Sequence, residues 1–314
     1  MLHVRLFGDT RVLDGARILG PGDFGGLKPR RILEVLALQR GHQVSKDRLT
    51  DILWPHRPPP DHRATLESYV SLLRRRLQPG TPARQSVIRT VPKGYLLDND
   101  AVRTDLDVFD ELVAEAENCS GADARLLLDR ASAMASRDLL ASPDEAPWAE
   151  PIRADYRHRA VRAALRAAEL ALQDGANDAA VRLAGRAIAL DSLCEPGWRL
   201  VMRAHSAAGH RDSALRAYRS CRRLLACELD IEPAPETRAV LVDVVARHRT
   251  NRPQRGPQGS RPGEHAADLA AVMDAAIALF EHQQTGEYVG QVNEAVRIMA
   301  GLVRRAGVRP GPPR

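Results

Sequence analysis

The sequence has very little lysine, no paired cysteines and no long apolar run. Lysine occurs only at Lys28, Lys46 and Lys93, against 43 arginines. No stretch of about 18 apolar residues exists for a membrane span. The first residues also lack the basic-then-apolar order of a signal peptide. We therefore expect a globular protein of the cytoplasm that does not associate with membranes.

Motifs for metal binding and catalysis are also missing. The four cysteines, which we expect to be buried apolar side chains, are Cys119, Cys194, Cys221 and Cys227. The ten histidines show no HExxH spacing, and no GxxxxGK[ST] phosphate loop is present. The sequence predicts no enzyme, no cofactor, no catalytic residue and no metal site.

Positive charge is concentrated at the start of the chain. Residues 1–97 hold 17 Lys and Arg against 8 Asp and Glu, a net charge of +9, whereas the remainder carries −3. A basic segment beside a near-neutral one is expected where one domain meets a polyanion and another has a different task. The length of 314 residues predicts roughly two domains.

The first 60 residues predict strands, then two helices and a loop. The stretch HVRLFGDTRVLDGARI alternates apolar and polar residues and breaks at two Gly-Asp or Asp-Gly turns, which predicts short antiparallel strands. KPRRILEVLALQRG predicts a helix that stops at Gly41. SKDRLTDILWP predicts a second helix with Ser45 as its N-cap and Pro55 at its end.

The stretch LESYVSLLRRRL predicts a third helix with an apolar stripe and an arginine-rich outer face. The stripe, at intervals of four, three and four, consists of Leu66, Val70, Leu73 and Leu77. Ser71, Arg74 and Arg75 project away from it, while Arg76 lies nearer to it. On its own, an arginine run is more often a solvated helix end near the negative pole of the helix dipole.

A basic β-hairpin after this helix favours DNA binding over a solvated helix end. In VIRTVPKGYLLD, apolar and polar residues alternate over 87–91 and again over 95–97, with the bend at 92–94. Three helices followed by a basic hairpin are typical of a winged helix-turn-helix. In that fold the third helix enters the major groove and the wing reaches the neighbouring backbone. We therefore assign the arginine helix to DNA recognition.

From Asp105 onward the pattern is helical throughout and partly repeated. Gly175, Ala180, Ala184 and Ala187 recur 34 residues later as Gly209, Ala214, Tyr218 and Cys221, the tetratricopeptide period of paired antiparallel helices. The alternative is an arbitrary alanine-rich bundle. The sequence thus predicts a mainly α protein: an N-terminal winged helix-turn-helix (α+β) followed by an all-α tetratricopeptide-like repeat domain.

Four segments divide the chain. The winged helix spans 1–97 and the repeat domain 104–250. The stretch NRPQRGPQGSRPGE, residues 251–264, predicts a flexible linker because Pro and Gly recur without an apolar anchor. Two amphipathic patterns over 265–306 predict a C-terminal helical hairpin, which docks either on the repeats or on a second copy of the chain.

Over about residues 1–245 the sequence resembles the Streptomyces antibiotic regulatory protein family of transcriptional activators. LKPRRILEVLAL, VSKDRLTDILWPHRPPPDHRATLESYVSLLRRRL and VIRTVPKGYLL are similar to its OmpR/PhoB-type winged helix. WAEPIRADYRHRAVRAALRAAELAL and ALRAYRSCRRLLACELDIEPAPE are similar to its bacterial transcriptional activator domain. The resemblance implies an activator that binds direct repeats in double-stranded DNA as a homodimer and recruits RNA polymerase to genes of antibiotic biosynthesis or other secondary metabolism.

Two sets of candidate site residues follow. Hydroxyl and cationic side chains of the third helix and the wing suit phosphates and base edges. These expected DNA-binding residues are Arg63, Thr65, Ser68, Ser71, Arg74, Arg75, Arg89, Thr90 and Lys93. We rank Ser71 and Arg75 first for the groove.

The second set lies in the loop between the last two helices, which corresponds to the polymerase-touching loop of OmpR-like activators. It comprises Trp54, His56, Arg57, Pro58 and Pro59. A loop that only ends one helix and starts the next fits this stretch equally well. Two other functions stay open for the whole chain. One is a repeat-based interaction protein whose winged helix contacts protein instead of DNA, and the other is a repeat domain that senses a small-molecule effector.

Overall fold

The computed structural model describes residues 1–141 and 146–250, with side chains up to residue 246. The predicted linker at 251–264 and the predicted hairpin at 265–306 lie outside the described residues.

A four-stranded sheet begins the chain. The three strands β1 (Leu2–Arg5), β2 (Arg11–Asp14) and β3 (Arg17–Leu19) are antiparallel, as the alternating pattern predicts. A fourth strand without a prediction from the sequence, β7 (Val102–Thr104), joins parallel to β1, so the order is β3-β2-β1-β7. The last residues before the helical domain are therefore part of the N-terminal sheet.

Three helices follow in the predicted order: α1 (Leu27–Gln39), α2 (Lys46–Leu53) and α3 (His62–Leu77). The first helix ends earlier than its predicted stop at Gly41, because Arg40 already adopts the left-handed conformation with φ 40°. The Ser45 hydroxyl accepts from the Arg48 N–H at 3.1 Å and confirms the predicted N-cap of α2.

The predicted wing is a hairpin of β5 (Ile88–Val91) and β6 (Gly94–Leu97). A third, two-residue strand, β4 (Val44–Ser45), pairs antiparallel with β6 and gives the order β4-β6-β5. The wing is therefore joined to the segment immediately before α2. Two residues are too few for an alternating pattern, so β4 has no signal in the sequence.

The remainder of the described chain is helical. Helices α4 with α5, α6 with α7 and α8 with α9 pack as successive pairs, which confirms the predicted pairing. The helices are α4 (Asp105–Glu117), α5 (Gly121–Met134), α6 (Glu150–Gln173), α7 (Asn177–Leu190), α8 (Glu195–Ala207), α9 (Arg211–Leu229) and α10 (Pro235–Thr250).

Glycine and small buried residues make the helix pairs compact. Gly175 and Gly209, at the turns after α6 and α8, have φ of +71° and +78°, a conformation that costs glycine little. The repeated positions face the interior, where they are at most 2% exposed: Ala180, Ala184, Ala187, Ala214, Tyr218 and Cys221. The repeat interpretation is thereby confirmed over these two pairs.

One hydrophobic core connects the sheet and the three-helix unit with the first helices of the repeat domain. The Asp105 carboxylate, at the start of α4, accepts from the backbone N–H groups of Leu6 and Phe7 at 2.9 Å. The segment after α5 contacts the residues just after β1, where Phe7 and Leu139 form an isolated antiparallel bridge and the Leu140 N–H donates to the Leu6 carbonyl at 2.7 Å. The winged helix and the repeat domain therefore share a hydrophobic core and hydrogen bonds to the backbone that follows β1.

A carboxylate reinforces that interface. Asp110 on α4 accepts from Arg40 at 2.5 Å, from Arg159 at 2.6 Å and from the Tyr156 hydroxyl at 3.2 Å. Burial and the Asp110 carboxylate raise the pKa of Tyr156 to about 12, so the phenol stays protonated as a donor. Arg40 lies at the end of α1, while Tyr156 and Arg159 lie on α6, so Asp110 holds elements of both domains together.

The cysteines are free, and their burial is mixed. Cys194 and Cys221 are buried, as predicted, but Cys119 is only partly buried and Cys227 is exposed near the end of α9, so the prediction of burial holds for two of the four. Within the described part of the chain, no cluster of His, Cys, Asp and Glu has the arrangement of a metal site. None of the helices described here is long and apolar enough to cross a membrane.

Candidate nucleic-acid interface

Helix α3 has the two faces that its sequence predicts. The stripe of Leu66, Val70, Leu73 and Leu77 is at most 1% exposed. Burial of each such side chain contributes about 1.5–3 kcal/mol, so together they fix the rotation of the helix about its axis. The opposite face is therefore held outward.

The two residues ranked first lie on that outward face. Ser71 and Arg75 are exposed. Among the residues that the structure describes, neither side chain has a hydrogen-bond or ion-pair partner. An exposed hydroxyl and an unpaired guanidinium one turn apart are available to phosphate oxygens or to base edges.

The other candidates at the start of α3 are differently placed. Arg63 is exposed beside Asp47, with its Nη2 3.5 Å from the carboxylate. The Ser68 hydroxyl is exposed and donates to the Ala64 carbonyl at 3.0 Å, and Thr65 is half-buried. An exposed ion pair such as Arg63–Asp47 contributes little free energy. Arg63 can therefore leave Asp47 and bind a phosphate instead.

Arg74 reaches away from the outward face. Its Nε and Nη2 donate to the Ile88 carbonyl at 3.1 and 2.9 Å, and Nη2 also donates to the Thr90 hydroxyl at 2.8 Å. Burial lowers the pKa of this guanidinium, which nevertheless remains charged because arginine is not deprotonated in proteins. Arg74 thus ties α3 to the first strand of the wing.

Arg76 is exposed, so its expected place near the core stripe was wrong. Its carbonyl accepts from Arg17 Nη2 at 2.8 Å. This contact joins the C-terminal end of α3 to the N-terminal sheet, and it places a positive charge where the helix dipole is negative.

The wing is shaped by a close backbone approach. A Cβ on Gly94 would lie 2.1 Å from the Val44 carbonyl oxygen, so only glycine fits at this position, where β6 pairs with β4. Lys93 at the tip is exposed with φ 68°, and its carbonyl accepts from the Lys46 N–H at 2.9 Å. Arg89 is exposed and ion-paired with Asp98.

A carboxylate outside the predicted set of site residues also faces outward. Glu67 lies on α3 one turn before Ser71, and it accepts from Lys46 Nζ at 2.6 Å. The hydrogen bond with Lys46 lowers the pKa of Glu67 and raises that of Lys46. The spacing of four from Ser71 is the signal that could have identified Glu67 as part of this face.

The loop between α2 and α3 has anchored ends and an exposed middle. The Trp54 ring is half-buried and stacks on Tyr69 with centroids 6.3 Å apart. Lys28 Nζ lies 4.7 Å from the Trp54 ring centroid. At the other end, the Pro59 carbonyl accepts from the His62 N–H at 3.0 Å. Between them, four residues are exposed: Pro55, His56, Arg57 and Pro58.

Two family descriptions match the two halves of the chain. "Transcriptional regulatory protein, C terminal" matches residues 26–97, and "Bacterial transcriptional activator domain" matches residues 104–244. The regulatory protein DnrI of Streptomyces peucetius is 31% identical over 221 residues, which cover 66% of this chain and 79% of DnrI. The chain belongs to the Streptomyces antibiotic regulatory protein family. It is a DNA-binding transcriptional activator with an OmpR-type winged helix.

Other relatives differ in length. The regulatory protein AfsR of Streptomyces griseus is 29% identical over 239 residues, which cover 75% of this activator but only 24% of AfsR. A solved structure of Mycobacterium tuberculosis EmbR in complex with a low affinity phosphopeptide superposes with a TM-score of 0.67 at 24% identity. It covers 88% of this chain and 70% of EmbR, and it has the same order of winged helix and helical domain.

Proposed function

We propose that this activator binds direct repeats in promoter DNA by placing α3 in the major groove and the wing on the adjacent backbone. The observation that carries the proposal is the outward face of α3, where Ser71 and Arg75 have no partner among the described residues. The wing supports it, because Arg74 holds the hairpin beside that helix. The net charge of +9 over residues 1–97 supplies the attraction to phosphates.

The side chains divide into two roles in this proposal. Ser71 and Arg75 read base edges, and Glu67 accepts from a cytosine amino group when Lys46 turns to phosphate. The residues that contact the backbone are Arg63, Thr65, Ser68, Arg89, Thr90 and Lys93. Arg74 acts by positioning the wing and does not read bases.

The same proposal extends to the transcription machinery. The exposed middle of the α2–α3 loop contacts RNA polymerase, and its prolines reduce the entropy lost on binding. Two copies bind head to tail on the repeats, and the regulated genes serve antibiotic or other secondary metabolism. Membership of the family supports these three statements.

A mobility-shift titration of the full chain on DNA upstream of its neighbouring genes tests the proposal. A copy that makes roughly 4 to 6 phosphate contacts should show a slope of log K against log salt near −4 to −5. Affinity that does not change with salt would contradict the electrostatic argument.

Variants separate base reading from backbone contact. Arg75→Ala should weaken binding to the cognate site about 5- to 150-fold and binding to random DNA much less, because a bidentate base contact discriminates by about 1–3 kcal/mol. Lys93→Ala should weaken both to the same extent. Arg223→Ala, which removes an exposed charge from α9, is the control and should change neither. Equal losses for Arg75→Ala and Lys93→Ala would show that Arg75 does not read bases.

A further inference from the structure

A groove in the repeat domain is lined on one side by arginines that the proposed DNA-binding function does not involve. It lies between α6 and the α4–α5 pair and has a volume of about 720 Å³. Its α6 wall is a single helical stripe at spacings of three and four, which consists of Arg159, Arg162, Ala163, Arg166, Leu170 and Gln173. The groove belongs to neither the DNA-binding face nor the α2–α3 loop.

The floor of the groove is apolar. Leu128 and Leu170 are 7% and 6% exposed, and Ala116, Ala124 and Ala163 are 4–7% exposed. The three alanines have short side chains and leave open space between the helices above them. Apolar side chains of a ligand would therefore find contact surface without any rearrangement of the core.

The arginines on the wall are not equivalent. Arg159 is bound to Asp110 at 2.6 Å. Arg166 is exposed, and its Nη1 lies 3.1 Å from a carboxylate oxygen of Glu169. This exposed ion pair contributes little free energy, so Arg166 can exchange Glu169 for a ligand. Arg162 is exposed, and within the described chain it has no hydrogen-bond or ion-pair partner. Two guanidinium groups are therefore available to a ligand at the rim.

This positive wall contrasts with its surroundings. Residues 98–250 hold 21 Lys and Arg against 26 Asp and Glu, so the domain as a whole is net negative. The acidic residue that lines the opposite wall is Glu117. Arginines at the rim of an apolar groove favour a ligand that combines carboxylates with aliphatic side chains.

The dimensions suit a peptide. The stripe from Arg159 to Gln173 covers about 21 Å at the helical rise of about 1.5 Å per residue. An extended chain of about six residues spans that length at about 3.3 Å per residue. We propose that this groove docks a short acidic segment of a partner protein, with aliphatic side chains on the floor and carboxylates on Arg162 and Arg166.

Fluorescence anisotropy on the full chain tests this proposal. The probe is a short fluorescein-labelled peptide with a Leu-Leu pair between two Glu-Asp pairs, and its neutral counterpart carries Gln and Asn instead. The acidic probe should bind, and the neutral one should bind at least about ten-fold more weakly. Arg162→Gln and Arg166→Gln should each weaken the acidic probe about three- to five-fold. Both side chains are exposed, so the variants should keep the fold.

Two controls keep the proposal falsifiable. Arg223→Gln on α9 removes the same charge elsewhere and should leave binding of the probe unchanged. Arg75→Gln tests whether the acidic probe binds the DNA-binding face instead. Loss of binding with Arg75→Gln but not with Arg162→Gln would overturn the proposal, as would equal binding of the acidic and neutral probes.

Sedimentation distinguishes a second copy of this chain from a different partner. The wild-type chain and Arg162→Glu should sediment alike if the groove receives a foreign segment. A dimer that Arg162→Glu converts to a monomer would assign the groove to self-association and would overturn the proposal of a partner protein.

Discussion

Arg74 and Arg75 are neighbours in sequence with different surroundings. The Arg74 guanidinium is half-buried against the wing, where it donates to Ile88 and Thr90. The Arg75 side chain is exposed and has no partner among the described residues. Adjacent helical residues point about 100° apart, so one step of the helix separates a structural contact from a surface contact.

This difference predicts that Arg74 contributes to the stability of the fold and that Arg75 does not. Arg74→Met keeps an apolar stem but removes the donors to the Ile88 carbonyl, so the free energy of unfolding should fall by about 1–3 kcal/mol. Arg75→Met should change it by less than about 0.5 kcal/mol. Urea denaturation of the full chain measures both. An equal loss of stability in the two variants would contradict the assignment of Arg74 to the wing contact.

At the scale of elements, long periodic segments were predictable from the sequence. The apolar stripe of α3, the wing hairpin and the 34-residue repeat all appear where the pattern places them. The strands β4 and β7 were not predictable, because segments of two and three residues carry no period. Their pairing depends on distant strands, β6 and β1.

The candidate site was predictable in outline and not in detail. Helical spacing fixes the direction in which a Cβ points, so it identified the outward positions of Ser71 and Arg75. The same spacing sets Arg74 beside the stripe, since it follows Val70 by four residues and precedes Leu77 by three. It does not fix where a long side chain ends, so the contact of Arg74 with the Ile88 carbonyl had no signal. Helical spacing also sets Arg76 further from the stripe than Arg74, which agrees with its exposed side chain and not with its expected place near the core.

The α2–α3 loop leads to a prediction about transcription. Pro59→Ala keeps the carbonyl that accepts from the His62 N–H, so α3 should keep its start and promoter binding should change by less than about two-fold. Transcription in vitro should fall more. A loop without Pro59 is more flexible, so it loses more conformational entropy when polymerase binds. Trp54→Ala is a poorer probe, since its ring also packs on Tyr69. Unchanged transcription with Pro59→Ala would favour a purely structural loop.

At the scale of the whole molecule, the described domains are held together by more than a connecting segment. The Asp110 carboxylate joins Arg40 of the three-helix unit to Arg159 of α6. Nearby, the rings of Phe7, Phe109 and Tyr156 pack with centroids 5.5–5.9 Å apart. The DNA-binding unit is therefore positioned by the repeat domain.

Asp110→Asn tests this coupling. Asparagine keeps the shape but removes the charge that both arginines need, so the free energy of unfolding should fall by about 1–3 kcal/mol. The control is Asp155→Asn, whose exposed carboxylate lies 3.9 Å from Arg159 and should matter little. Thermal and urea denaturation monitored by circular dichroism measure the loss. Equal stability of the two variants would mean that Asp110 does not hold the domains together.

Residues 251–314 lie outside both matched family segments. A chain that ends at Thr250 should bind a single half-site with unchanged affinity and an unchanged salt slope, because the charge of +9 lies in residues 1–97. Cooperativity on paired half-sites should change if the amphipathic hairpin that the sequence predicts for 265–306 forms, because its apolar residues would then need a packing partner: Leu269, Val272, Ile277, Phe280, Val292, Val296, Ile298 and Leu302. Light scattering and titration of single and paired half-sites make the comparison. If oligomeric state, cooperativity and transcription all match those of the full chain, these residues have no part in assembly or regulation.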